Sequence, residues 1–435
     1  MNDLQKRFRN RTRKPQRRVE LGLLLLDVLI ILGAYLLAQL GHFHALPPNV
    51  TSFLAFLFLL VGIAHIALRR FAPYASPILL PAAALLNGIG YVYIARLDSK
   101  LASAQAMWSL VGIAAFVGVM ILLPRIRDLE RYRYTTLLVG LMLLVLPAFP
   151  IVGRQINGAR IWIHFGPFSF QPGEMAKIAL AIFFASYLIE KRELLARPTR
   201  RVGGLLIPDL RFFGPVLVAW GFSLLVLMRE NDLGSSLLFF ALFVVLLWIA
   251  TGRSFYLILG GFLFTSGALL AYFQFNHVRT RIAIWRHPFL AAGNSQLAES
   301  IFAIGSGGLF GSGIALGSPD RIPFVKTDFI FSAIGEEWGF LGVIALLSCY
   351  LLIVGVGMRV AIRAQHPFEK LLTAGLTSIV AIQVFIIVGG VTRLIPLTGI
   401  TLPFVSYGGS SLVANYILLA LLLRASNDIA PEVRV

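Results

Sequence analysis

The chain has 435 residues, of which 58% are hydrophobic and only 13% charged, and its mean hydropathy is +0.82. That composition excludes an ordinary soluble globule. The net charge of +18 does not by itself mark a nucleic-acid binder, because many of the basic residues flank apolar segments on one side, as the positive-inside rule describes.

A bilayer leaves no water for backbone groups, so spanning segments are helices or closed barrels, and runs of about 20 apolar residues select helices. Residues 1–19 form a basic tail with eight lysines and arginines, read as a cytoplasmic topology determinant lying on anionic lipid. Length and apolarity then predict twelve helices, over 20–40, 52–69, 76–95, 104–124, 135–152, 172–190, 212–228, 234–251, 255–275, 330–357, 371–392 and 409–423. The first is read as a retained helix, since a cleaved signal has a shorter core and a small-residue cleavage site. The last is short and follows the proline- and glycine-rich LIPLTGITLPFVSYGG. A broken or re-entrant entry is expected there, which a membrane tolerates only where protein or water covers the backbone. Cys349 is the single cysteine, so no intrachain disulfide forms.

With the N-terminus inside, 26 of the 38 lysines and arginines fall on the inner side and 11 on the outer, Lys177 lying within a helix. This asymmetry places both termini in the cytoplasm. It also places a large loop, 276–329, outside together with 153–171 and 393–408. A loop of roughly 50 residues without an evident fold of its own is more often functional than a connector.

Within that loop the run GSGGLFGSG, which includes Gly307 and Gly308, superficially resembles a phosphate cradle. A dinucleotide fingerprint needs a strand before it and a helix after it, so tight turns and close helix packing are the expected roles. Asp328 follows Thr327, read as an N-cap, at the start of an apolar helix whose dipole favours a carboxylate. It is either a general base facing a substrate hydroxyl or a helix-start stabiliser. Glu174 and Lys177, at i,i+3, are placed to pair on one helix face. Glu336 and Glu337 lie at or inside the membrane boundary, where ionisable groups are usually functional, packing partners being the alternative. Asp232 sits in a short turn, where capping the next helix is the expected role. The seven histidines are scattered without ligand spacing, so no zinc site is expected. Arg279, Arg281, Arg286, Arg321 and Lys326 lie against the positive-inside trend, and an anionic headgroup would account for them; solvated surface charge is the alternative for each.

Five stretches in order, NGARIWIHFGPFSFQPGEMAKIA, RENDLGSSLLFF, IFAIGSGGLFGSG, KTDFIFSAIGEEWGFLG and LIPLTGITLPFVSYGGSSLVANY, resemble the SEDS family of bacterial shape, elongation, division and sporulation proteins, that is RodA, FtsW and SpoVE. The resemblance covers about 76–428. It implies an all-α polytopic membrane protein: a ten-helix core over 76–428, a two-helix N-terminal extension over 20–75, a large extracytoplasmic loop and a cytoplasmic tail over 429–435. It further implies a peptidoglycan glycosyltransferase that polymerises lipid II at the outer face of the bacterial cytoplasmic membrane, with inversion and release of undecaprenyl diphosphate. The family's catalytic acid falls on Asp328. Arg160, Glu174, Lys177, Arg279, Arg281, Arg321, Lys326, Ser406 and Ser410 are then candidate substrate-binding residues, and Gly307, Gly308, Glu336 and Glu337 supporting ones. A divalent cation, Mg2+ or Mn2+, is implied as a counter-charge for the diphosphate, and no organic cofactor. The implied partners are lipid II, a class B penicillin-binding protein transpeptidase, elongasome or divisome proteins and membrane lipids, with no nucleic acid. A lipid II flippase and a non-catalytic scaffold are the alternative functions.

The chain departs from the family's pattern at three places. Many relatives carry Glu shortly before TDFIF, where Phe324, Val325 and Lys326 stand here. Thr398 replaces the Lys frequent in division-type members, which favours an elongation-type protein. QPGE replaces the usual QPSE.

Overall fold

The computed structural model describes residues 17–43, 50–149, 152–156, 159–165, 168–196, 200–202, 205–207, 221, 232–290 and 295–429. The tail before residue 17, the helix expected over 212–228 apart from residue 221, and residues 430–435 lie outside the described residues. In chain order the helices are α1 (Arg17–Phe43), α2 (Val50–Phe71), α3 (Leu79–Leu97), α4 (Ser99–Leu122), α5 (Arg133–Val145), α6 (Gly173–Glu190), α7 (Arg192–Ala196), α8 (Leu233–Thr251), α9 (Phe255–Gln274), α10 (Asn276–Arg286), α11 (Ser295–Gly307), α12 (Ile330–Arg363), α13 (Pro367–Val391) and α14 (Gly409–Asp428). All but α5, α6, α7, α10 and α11 are long and apolar enough to cross a membrane, which makes nine such helices among the described residues. The molecule is an all-α polytopic membrane protein.

The differences from expectation have local causes. The helix expected over 135–152 stops at Val145 and gives way to a single 3-10 turn, Leu146–Ala148, because Pro147 has no amide to donate. The described residues of the outer segment 153–171 carry regular structure. They hold a three-stranded antiparallel sheet of β1 (Gly153–Ile156), β2 (Ala159–Phe165) and β3 (Phe168–Phe170), and a further hairpin joins β4 (Arg200–Val202) to β5 (Leu205–Ile207). Likewise 276–329 is not a structureless loop, since α10 and α11 occupy almost half of it.

The core gathers around α14, whose residues are buried almost throughout. It packs on α4, while α13 packs on α12, α8 and α6. The N-terminal pair is docked rather than loose. α1 packs on α3 and α2 on α4; at one end Arg17 donates to the carbonyls of Pro73 and Ala75 and pairs with Glu20, which also meets His65 Nδ1 at 2.7 Å.

A straight α12 of 34 residues would run about 51 Å at 1.5 Å per residue, well beyond a hydrocarbon core of about 30 Å. It is not straight. Gly339, with φ 65° and ψ −165°, breaks it into two helical pieces, where a continuous helix over 330–357 was expected. The broken ladder is re-satisfied by the turn after α11. Ser312 N and Gly313 N donate to the carbonyls of Glu336 and Glu337 at 2.9 and 3.0 Å, and Phe340 N and Leu341 N donate to Gly308 and Leu309 at 2.9 and 3.2 Å. Irregular backbone inside a membrane persists only when paired in this way. The glycines of GSGGLFGSG therefore permit backbone-to-backbone contact, as the tight-packing reading expected. Gly311 (φ 82°) admits no side chain: a Cβ there would lie 2.1 Å from the Glu337 carbonyl oxygen. Gly311→Ala is expected to destabilise the protein by about 1–3 kcal/mol or more, from the left-handed backbone and the clash together, read as a lower midpoint of thermal unfolding in detergent.

Candidate active site

Four separate elements bring polar groups together at one end of the bundle. Asp328 stands two residues before α12, Asp232 caps α8, Arg281 projects from α10, and Thr398 and Gly399 belong to the irregular 394–408 segment that leads into α14. Each position has a local reason. Asp232 Oδ1 accepts from Ser235 N at 3.0 Å, the N-cap role expected of it. Thr327, expected to cap α12, does not: the N-cap residue is Phe329, and the Thr327 hydroxyl donates to Phe324 O at 3.2 Å. Tight turns through 322–329, visible as Val325 N on Ile322 O and Thr327 N on Phe324 O, carry the chain past the Thr327 position before the helix begins. Asp328 itself stands just ahead of that helix's N-cap.

Arg281 reaches the 394–408 segment, where Nη1 donates to the carbonyls of Leu397 and Thr398 at 3.1 and 2.7 Å. Gly399, with φ 80°, marks the closest approach. A methyl group there would sit 3.7 Å from Asp328 Oδ2 and 3.9 Å from Arg281 Nη2, so carboxylate and guanidinium share one small space. Ser406 fixes the backbone beside it, accepting from Leu402 N at 2.9 Å and donating to Thr327 O at 2.5 Å.

Asp328 is half-buried by surface area yet enclosed by protein on most sides. Burial is the largest influence on it and pushes its carboxyl up to about 6, with Asp232 adding to the rise while the Thr327 hydroxyl and Arg281 oppose it. Burial also raises Asp232 above the usual carboxylate range and lowers Arg281, which the two carboxylates pull back up. The arrangement is one cation between two carboxyl groups in an enclosed setting. It yields an acid whose proton leaves near neutrality, the property a general base needs.

A second polar cluster supports the first. Lys177 Nζ lies 2.5 Å from Glu174 Oε2 and donates to Gln383 Oε1 at 3.0 Å; Gln383 Nε2 donates to Thr401 O at 2.8 Å. Thr401 Oγ1 in turn donates to Ser411 Oγ at 2.8 Å. The expected pairing of Glu174 with Lys177 is present, buried between α6 and α13. Ser410 Oγ accepts from Gln171 N at 2.7 Å, joining the start of α14 to the chain that follows β3. Arg160 lies on β2 of the same sheet.

Most of the remaining candidates make contacts away from Asp328. Lys326 is engaged with Asp98 at 2.7 Å, and Asp98 caps α4 through the amides of Lys100 and Leu101. Arg279 donates to the carbonyls of Tyr272 and Phe273 at the end of α9. Arg321 is exposed on a short 3-10 turn, Pro319–Arg321. Glu337 is buried against Arg96 at 2.8 Å, and Glu336 Oε1 accepts from Ser318 N at 2.8 Å, so both glutamates fasten the turn that crosses the α12 break. Gly307 and Gly308 belong to that same turn; a Cβ on Gly307 would lie 2.0 Å from Gly335 O.

By sequence Asp232 reads only as a cap, and Gln383 does not stand out. A lone amide in the apolar run SIVAIQVFIIV was the available signal, because polar side chains inside membrane segments are rarely idle. No three His, Cys, Asp or Glu side chains converge as a metal cage among the described residues. Mg2+ commonly takes one or two carboxylates together with substrate phosphates. The described residues therefore offer such a cation no cage of their own.

An enclosed acid beside a fixed guanidinium, at the end of a polytopic helical bundle, defines a membrane protein with an enclosed polar site. Residues 83–430 match the cell cycle protein family of FtsW, RodA and SpoVE, and the chain belongs to that family. It is 46% identical over 426 residues to the peptidoglycan glycosyltransferase RodA of Mycobacterium bovis, covering 95% of this chain and 91% of that one. It is 36% identical to the probable peptidoglycan glycosyltransferase FtsW of Geobacter metallireducens, over 74% of this chain and 84% of that one. Among solved structures, one described as the structural coordination of polymerization and crosslinking by a peptidoglycan synthase complex superposes with a TM-score of 0.69 at 27% identity, covering 82% of this chain and 99% of that chain. Helices α1 and α2 lie before the matched family region.

Proposed function

We propose that this protein is a peptidoglycan glycosyltransferase that polymerises lipid II, with Asp328 as general base. The observation that carries the reading is the Asp328 carboxyl, raised to about 6 by burial and held beside Arg281. At pH 7 such a group is largely ionised and still basic enough to accept a proton in the transition state. It takes the proton of the acceptor sugar's 4-hydroxyl as that oxygen forms a bond to the donor's anomeric carbon. The bond from that carbon to the diphosphate oxygen breaks, its electrons leave with undecaprenyl diphosphate, and the sugar configuration inverts. Arg281 offers positive charge to the departing phosphates. A divalent cation bound with the diphosphate would add Lewis-acid charge there.

The positive-inside count supports both termini in the cytoplasm, with the Asp328 end at the outer face of the bacterial cytoplasmic membrane. The higher identity to RodA than to FtsW supports a role in elongation. The peptidoglycan synthase complex that this chain resembles supports a transpeptidase partner of the class B penicillin-binding type. The test is reconstitution: the protein, purified with its transpeptidase and given lipid II and Mg2+, is expected to make glycan chains resolved by gel electrophoresis. Movement of lipid II across liposomes without any polymer would replace this reading with a flippase.

A further inference from the structure

Arg393 is one of four non-glycine residues with a left-handed backbone among the described residues, beside Ala315, Phe324 and Phe404. It follows α13 at the position just past the helix cap, with φ 64°. Around it Leu394 N donates to Gly389 O at 2.7 Å and Arg393 N to Gly390 O at 3.3 Å. This is the double closure of a left-handed helix terminus, where glycine is the usual residue because a Cβ is strained there. A large side chain held at such a backbone points to a use for the side chain.

The side chain has one. Arg393 Nε donates to Trp285 O at 2.9 Å and Nη2 to Arg286 O at 2.9 Å, while Trp285 Nε1 donates back to Arg393 O at 3.0 Å. Two successive carbonyls at the C-terminal end of α10 thus receive one planar guanidinium, a geometry that a lysine cannot reproduce, and the positive charge suits that end of a helix. One turn earlier on α10, Arg281 is bound to Leu397 and Thr398 beside Asp328. The short α10 is therefore tied to residues 393–398 at two points, one outside the catalytic space and one inside it.

We infer that Arg393 is a positioning residue, a clasp on α10 that holds the Arg281 guanidinium beside Asp328. The inference rests on the catalytic reading of Asp328. Arg281 from α10 and Asp232 from α8 act on Asp328; Glu174 from α6 acts on Asp232, and His277 stands by Arg281. Of these, only the α10 groups are set by the clasp. Loosening α10 removes positive charge from beside Asp328 and makes its carboxyl harder to ionise.

Arg393→Gly is the informative variant, because glycine suits the backbone and removes only the side chain. In the complex with its transpeptidase, amide exchange over 282–286 is expected to quicken about tenfold, the scale of a lost charge-assisted hydrogen bond. The acid limb of the polymerisation pH profile is expected to move to higher pH. Arg393→Lys should fall between Gly and the parent, and Arg281→Ala/Arg393→Gly should show the same limb as Arg281→Ala alone. Unchanged exchange in Arg393→Gly overturns the clasp whatever Asp328 does. Faster exchange with an unmoved limb, or limb shifts that add in the double variant, overturn the positioning role. Polymer from Asp328→Asn would instead overturn the catalytic reading alone, and exchange would still decide the clasp.

Discussion

Asp328→Asn is expected to lower glycan polymerisation by about 10²–10⁴-fold, the usual worth of a positioned general base, while leaving the fold at least as stable as before. The sign follows from the carboxyl's shift. In the folded protein its pKa lies near 6, above the ordinary 3.8, so the native state holds the proton more tightly than the unfolded chain. Stability contributed by this group falls as pH rises from about 4 to 6, and above that the fold carries the full cost of an enclosed charge. Asparagine removes that cost. Catalysis runs the other way: the base must be ionised, so the rate of the parent protein falls as pH drops through about 6 and this group leaves it level above about 7. A thermal midpoint at pH 7 that is unchanged or raised, with polymerisation lost, separates a catalytic role from a folding one. A variant that unfolds early, or one that still polymerises, would sink the assignment.

Much of this site was legible from sequence because its clues were chemical. Asp328 stood out as an acid between apolar runs, and Glu174 with Lys177 stood out by spacing. Two kinds of feature were hidden. The first is the break in α12, since Gly339 reads as one more residue of an apolar helix until the partner amides of Ser312 and Gly313 are in view. A glycine inside a hydrophobic run carries no sign of whether its backbone is helical. The second is the assignment of cations. Arg279, Arg281, Arg321, Lys326 and Arg393 share one charge and one side of the membrane by sequence, and only tertiary contacts sort them. Arg281 goes to the site, Lys326 to Asp98 and Arg393 to the end of α10. The broken entry to α14 was legible because proline and glycine announce it. What it does there, presenting the carbonyls of Leu397, Thr398 and Thr401 to side chains from α10 and α13, was not.

The Glu174 and Lys177 pair is expected to yield the largest effect on stability. Both side chains are buried, Lys177 at 2% and Glu174 at 8% exposure, and Lys177 also reaches Gln383. Removing one member of a buried pair leaves an uncompensated charge and costs about 3–5 kcal/mol, whereas replacing both with groups of similar size is often close to neutral. Lys177→Met should therefore unfold at clearly lower temperature in detergent than the parent, and Glu174→Gln/Lys177→Met should recover most of that loss. The activity should not recover with it. Gln383 is held on one side by Lys177 and on the other donates to Thr401 O, so the double variant keeps the bundle folded but frees the segment that bounds the Asp328 site. A stable double variant with parental polymerisation would show that the pair serves the fold alone. A stable one with reduced turnover would place it in the support of the 394–408 segment, one residue type and one helix away from the chemistry it holds in register.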